Sequence, residues 1–203
     1  MVGISGLPKM IGVIDAAEQG GCGATRAVLA DFEDALLAYD RASNTSTSAE
    51  GAESPRFAHG RFETCDALVV AFENTPAVEA LSMVARLAPT RVYGICVTSG
   101  TVELEDENRF YPLISACEDA GDTWCGGILL PHAGLIARQS RSPRMGFMRR
   151  PRSETTDRLI AGVRAGLTVE QAARTFGATP QQLDAAKRNL ILARSPLPAW
   201  LLK

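Results

Sequence analysis

Four short apolar runs limit what this chain can become. Residues 10–16 (MIGVIDA), 67–72 (ALVVAF), 91–98 (RVYGICVT) and 124–131 (WCGGILLP) are almost continuously apolar and lack the alternation of a strand with one wet face. Between them apolar positions recur at helical spacing. Val28, Leu29, Phe32, Leu36 and Leu37 do so over residues 25–40, and Val78, Leu81, Val84, Ala85 and Leu87 over residues 76–88. Residues 110–120 give one more helix. Strands covered on both faces and alternating with helices predict repeated βαβ units. The expected architecture is a three-layer α/β fold around a parallel sheet, with right-handed crossovers placing helices on both faces.

The intervening segments differ in character. Residues 18–25 (EQGGCGAT) form a glycine-rich loop that opens the first helix. Residues 42–60 are rich in Ser, Thr, Ala, Glu, Gly and Pro, which predicts a mobile excursion or a poorly formed edge strand. Beyond Arg152 the pattern is helical only, over 153–166, 168–176 and 180–193, followed by an extended tail at 195–200.

Composition narrows the setting. The 203 residues carry a formal net charge of -2, so phosphate backbones and anionic lipid exert no global attraction. No apolar run reaches the roughly 20 residues needed to span a bilayer, and the amino terminus lacks the layout of a secretory signal. A cytoplasmic location is expected. The five cysteines are odd in number and include no C-x-x-C pair, and Cys96 and Cys117 read as small buried apolar residues. With two histidines, no H-E-x-x-H and no G-x-S-x-G, neither a metal site nor hydrolase chemistry is expected.

The strand RVYGICVTSG, the helix ending in CEDAG and the segment DTWCGGILLPHAGLI resemble the second half of flavodoxin-like NAD(P)H-dependent FMN reductases, and the closing SPLPAWLLK resembles that family's tail. The resemblance implies a flavodoxin-like doubly wound parallel sheet over residues 1–150, with residues 151–203 as a helical extension packed on it. It also implies FMN as cofactor, NAD(P)H as co-substrate, a small-molecule electron acceptor and a homodimer.

In such folds the ligand lies at the carboxyl ends of the strands, beside the switch point in strand order. That rule selects three loops. Gly20, Gly21, Gly23 and Thr25 take the place of the family's FMN-phosphate loop, although Glu18 is an acidic neighbour foreign to it. Asn74 and Thr75 stand where the family presents an aromatic residue to the flavin ring, and none is present here. Thr98, Ser99, Gly100 and Thr101 match the loop at the flavin edge. The family's cysteine-containing segment before the third strand is replaced by the Ser/Thr/Ala stretch ahead of Cys65, and no catalytic side chain is identified.

Three other features compete for a role. Arg138, Arg141, Arg144, Arg149, Arg150 and Arg152 fall in a stretch without acidic residues. They suit phosphates, a solvated loop, or an interface with Glu103–Glu107 of a neighbouring subunit. Residues 167–177 and 178–189 read either as a packed helical hairpin or as a helix-turn-helix with Gln181, Gln182, Lys187 and Arg188 toward DNA, where Asp184 would oppose phosphate contact. His132, directly after the last strand, is a polar loop residue or a proton shuttle. The function alternatives are therefore an FMN-binding NAD(P)H-dependent oxidoreductase, a flavodoxin-like protein that has lost its cofactor and serves as a binding or regulatory module, and a DNA reader.

Overall fold

The apolar runs meet edge to edge. β1 (Met10–Asp15), β2 (Arg56–His59), β3 (Ala67–Glu73), β4 (Arg91–Val97), β5 (Thr123–Leu130) and β6 (Leu190–Leu192) form one parallel sheet in the order β2-β1-β3-β4-β5-β6. The first five strands have the doubly wound order of flavodoxin-like folds. The computed structural model describes residues 8–17, 23–46, 54–59, 63–86, 90–139, 146–176 and 188–197.

Helices lie on both faces. α1 (Ala24–Ser46), α4 (Ala133–Arg138), α5 (Arg150–Ala165) and α6 (Val169–Thr175) cover one face. α2 (Val78–Val84), a 3-10 helix (Leu104–Phe110) and α3 (Tyr111–Ala120) cover the other. Strand β3 shows why its sequence is continuously apolar: Ala67, Val69 and Ala71 pack toward α1 and α5, while Leu68, Val70 and Phe72 pack toward α2 and α3. Cys96 and Cys117 are fully buried in the second of these layers, as their setting in the sequence predicts.

The glycines of the W-x-G-G strand have packing duties. A Cβ on Gly127 would come within 2.8 Å of the Phe110 ring, and one on Gly94 across the β4–β5 ladder within 2.6 Å. The paired glycines make the hollow that Phe110 fills, where it packs edge-on to Phe72 at 5.4 Å and against Trp124 at 5.5 Å. Gly126 sits at φ +107 where the ladder slips by one residue, and a Cβ there would collide with the Asn189 carbonyl. That carbonyl accepts the Gly127 N–H at 2.8 Å and leads the chain into β6.

Strand β6 corrects the reading of residues 180–193 as one helix, because Leu190–Leu192 pairs in parallel with β5 from Gly127 to Leu129. The connection into it is unusual in hand. The steps β3→β4 and β4→β5 cross the sheet in the same direction as β5→β6, yet their helices α2 and α3 lie on the face opposite α4, α5 and α6. Along its described helices the last crossover therefore has the opposite hand to its neighbours, a departure from the right-handed rule that the sequence reading assumed throughout. The rule governs compact βαβ units, and here at least three helices, counted among the described residues, intervene, with α5 laid beside α1.

The segment before Cys65 holds β2, an edge strand paired with β1, among the described residues, from Met10 to Val13. Among the described residues no helix is long and apolar enough to cross a membrane.

Candidate functional site at the carboxyl edge of the sheet

The switch point falls between β1 and β3, whose outgoing connections run in opposite directions. Two clefts of about 490 and 550 Å³ meet there at Ile14, Asp15 and Met83. One continues along Arg26, Glu33 and His59, beside the part of β1 that β2 leaves uncovered; the other runs between Ala16–Ala17 and Ala77–Ala80. His59 Nε2 lies 3.4 Å from Glu33. Burial raises the Glu33 carboxyl above its ordinary range, partly offset by that imidazole.

Of the first predicted loop, Gly20 and Gly21 lie outside the described residues. Gly23 adopts φ +77 ahead of α1, with open space where a Cβ would stand. Thr25 is 1% exposed, and its hydroxyl has no hydrogen-bond partner among the described residues. A buried, unbonded hydroxyl at a helix start is costly by itself and is relieved by an incoming acceptor.

The second loop is tightly held. Asn74, at φ 59, donates its N–H to Val97 O at 3.1 Å, and its Oδ1 accepts from Arg109 Nη1 at 3.2 Å. Thr75 N–H closes onto Glu73 O at 2.6 Å, and Ala77 N–H bonds Ala16 O at 3.1 Å, joining this loop to the end of β1. Arg109 is a residue the sequence reading missed. It also bonds Asp106 at 2.8 Å, and Asp106 Oδ2 accepts the Glu103 N–H at 2.9 Å. Burial would raise the Asp106 carboxyl, but the Glu103 N–H and the Arg109 guanidinium together hold it below its ordinary value. The signal was present in the run Glu103-Leu-Glu-Asp-Glu-Asn-Arg109, where an acid and a base three residues apart share one face of a helix.

The third loop divides into buried and open parts. Thr98 is buried, and its hydroxyl donates to Gly100 O at 3.1 Å. The Thr98 and Gly100 carbonyls accept from Ala133 N–H at 2.8 Å and His132 N–H at 3.1 Å, which fixes the loop to the segment after β5. Ser99, Gly100 and Thr101 are exposed, and among the described residues nothing accepts from their backbone N–H groups. Nothing stands within 4 Å of a Cβ placed on Gly100. Pairing of Glu73 with Val97 sets this loop directly beside Asn74 and Thr75.

His132 is withdrawn from this opening. It takes φ 62 ahead of α4, is 8% exposed, and its Nε2 lies 2.8 Å from Ser195 Oγ. Burial pushes its imidazole below the ordinary value. The arginine segment also departs from a purely solvated loop. Arg149 is buried against Asp31 at 2.6 Å, Arg152 is buried, and Arg150 is exposed with Glu154 at 2.7 Å; Arg141 and Arg144 lie outside the described residues. The acidic segment has partners within the chain, since Glu107 pairs with Arg188 at 2.7 Å and Asp106 with Arg109. Gln181, Gln182, Asp184 and Lys187 lie outside the described residues.

No family model matches the chain, and no curated protein matches it.

Proposed function

We propose that the chain is an FMN-binding, NAD(P)H-dependent oxidoreductase with the flavin along the carboxyl edge of the sheet. One observation carries the reading: the consecutive N–H groups of Ser99, Gly100 and Thr101 are exposed and unbonded among the described residues, at the end of a strand buried from Val92 to Val97. Such a row suits the acceptor-rich rim of an isoalloxazine ring, and the open space at Gly100 lets a flat ring approach the backbone.

The phosphate would fall to the loop before α1. Thr25 offers a buried hydroxyl without a partner among the described residues, Gly23 a left-handed turn, and the helix its amino-terminal N–H groups. Gly20 and Gly21 would complete this loop. Asn74 and Thr75 would border the ring, and Arg109, by holding Asn74 Oδ1, leaves the amide nitrogen to face a ligand. When bound, FMN supplies the hydride and electron chemistry; the chain binds and orients it, and no acidic or basic side chain is needed at the ring. The homodimer and cytoplasmic setting belong to the same reading. Purified protein should absorb as a flavoprotein or take up FMN at micromolar concentration; a colourless protein that takes up none overturns the proposal.

The engaged side chains favour a second reading. Thr98 Oγ1 turns back onto Gly100, Asn74 Oδ1 is held by Arg109, and the second loop carries no aromatic residue. A flavodoxin-like chain that has lost its cofactor and acts as a binding or regulatory module fits those facts, and the same absorbance measurement separates the two. Arg188, which a DNA reader would direct at phosphate, is engaged by Glu107.

A further inference from the structure

We propose that the groove between the start of α5 and the outer edge of β6 binds a mononucleotide, with its phosphate on the arginines and its base against Phe147. The groove encloses about 400 Å³, within the range of small-ligand sites, and lies on the β6 side of the sheet, apart from the switch-point clefts. Arg150, Arg158 and Arg194 line it against one carboxylate, Glu154. That carboxylate is already held by Arg150 Nε at 2.7 Å. In a chain of net charge -2, the groove gathers three guanidinium groups; Arg150 is engaged by Glu154 and Arg194 has a contact of its own, so Arg158 is the one left to receive an anion.

Two details narrow the ligand. Arg158 Nη1 is buried and has no hydrogen-bond partner among the described residues, a cost that a phosphate oxygen would remove through a charge-assisted bond. Phe147 is 78% exposed at the rim of the same groove. An exposed aromatic beside arginines offers a stacking platform for a base next to a phosphate site. Pro151 and Leu192 supply an apolar lining between the two ends, and the amino-terminal end of the sixteen-residue α5 adds positive potential. An acidic peptide would use the arginines but leave the ring without a purpose.

Calorimetric titration of the full chain with AMP, adenosine and inorganic phosphate tests this. AMP should bind saturably and about tenfold more tightly than either fragment. Its affinity should fall about tenfold in Phe147→Ala and again in Arg150→Gln combined with Arg194→Gln. Phe147 and Arg150 are exposed, so unchanged thermal melting of Phe147→Ala would show that the fold is intact. The proposal is overturned if AMP does not saturate by about 10 mM, if inorganic phosphate binds as tightly as AMP, or if these variants bind AMP like the parent. It is also overturned if Thr25→Val abolishes AMP binding, because the nucleotide would then sit at the switch point. The flavin reading stands or falls separately, on absorbance.

Discussion

Arg149 Nη2 lies 2.6 Å from Asp31 Oδ1, with the two side chains only 10% and 4% exposed, so a nearly dry ion pair joins the start of α5 to α1. Removing one partner takes this contact from a charge that is almost wholly buried. Asp31→Asn or Arg149→Met should each cost about 3–5 kcal/mol in urea unfolding, whereas Asp31→Leu combined with Arg149→Met should recover much of that loss. Additive losses in the double variant would contradict the pairing.

Gly126 provides a test of the β5 slip. Its positive φ and the nearby Asn189 carbonyl leave no room for a side chain. Gly126→Ala should destabilise by about 2 kcal/mol or more, while Gly100→Ala, open around its Cβ, should stay within about 0.5 kcal/mol of the parent. Equal effects at the two glycines would refute the packing described for β6.

The Thr25 hydroxyl separates structure from binding. Thr25→Val removes a buried hydroxyl that has no partner among the described residues, so stability should hold or rise by about 1 kcal/mol. FMN affinity, measured by fluorescence quenching, should nevertheless fall about tenfold. Undiminished FMN binding in this variant would remove Thr25 from the phosphate loop.

His132 predicts a pH effect of definite sign. Burial depresses its folded-state value below the ordinary 6.5, so the unfolded chain takes up the proton first as pH falls. The stabilising difference is complete above pH 6.5 and declines below it until the folded value is reached. Glu33 and Asp122, raised chiefly by burial, act in the opposite sense at lower pH. The comparison is therefore parent against His132→Gln: unfolding free energy should slope less between about pH 5 and 6.5 in the variant. Parallel slopes would mean that His132 titrates alike in both states.

Thiol labelling should sort the cysteines. Burial pushes Cys96 and Cys117 up to about 12, so in native protein they should resist a disulfide reagent that acts on thiolates. Both should react once the chain is unfolded in urea. Prompt native labelling at either position would mean that its layer opens readily.

Strands with two covered faces were plain in the sequence because burial on both sides leaves a continuous apolar run, as at 67–72 and 91–97. Strand β6 was not, since Leu190–Leu192 is three residues long and follows an Ala, Lys and Arg stretch with helical composition. α4 escaped notice for the same reason, having only six residues. The second and third candidate loops lie at strand ends as expected, while the first falls largely outside the described residues; the hydrogen bonds were not legible. Nothing in the letters shows that the Thr98 hydroxyl turns inward or that Arg109 reaches back 35 positions to Asn74. Burial of Arg149 and Arg152 was equally hidden, because arginine is read as a surface residue until a partner such as Asp31 is found across the fold.

The opposite-handed crossover into β6 bears on the order of assembly. β6 pairs with β5 across a long stretch of sequence that holds α4, α5 and α6, and it contributes three residues of pairing. Contacts this distant in sequence form late and open first. Amide exchange should therefore be faster at Leu190–Leu192 than at the β3 and β4 amides. Because Leu192 and Arg194 line the arginine groove, each local opening of that edge would dismantle the groove as well. A ligand held there would act as a latch on the last strand to arrive.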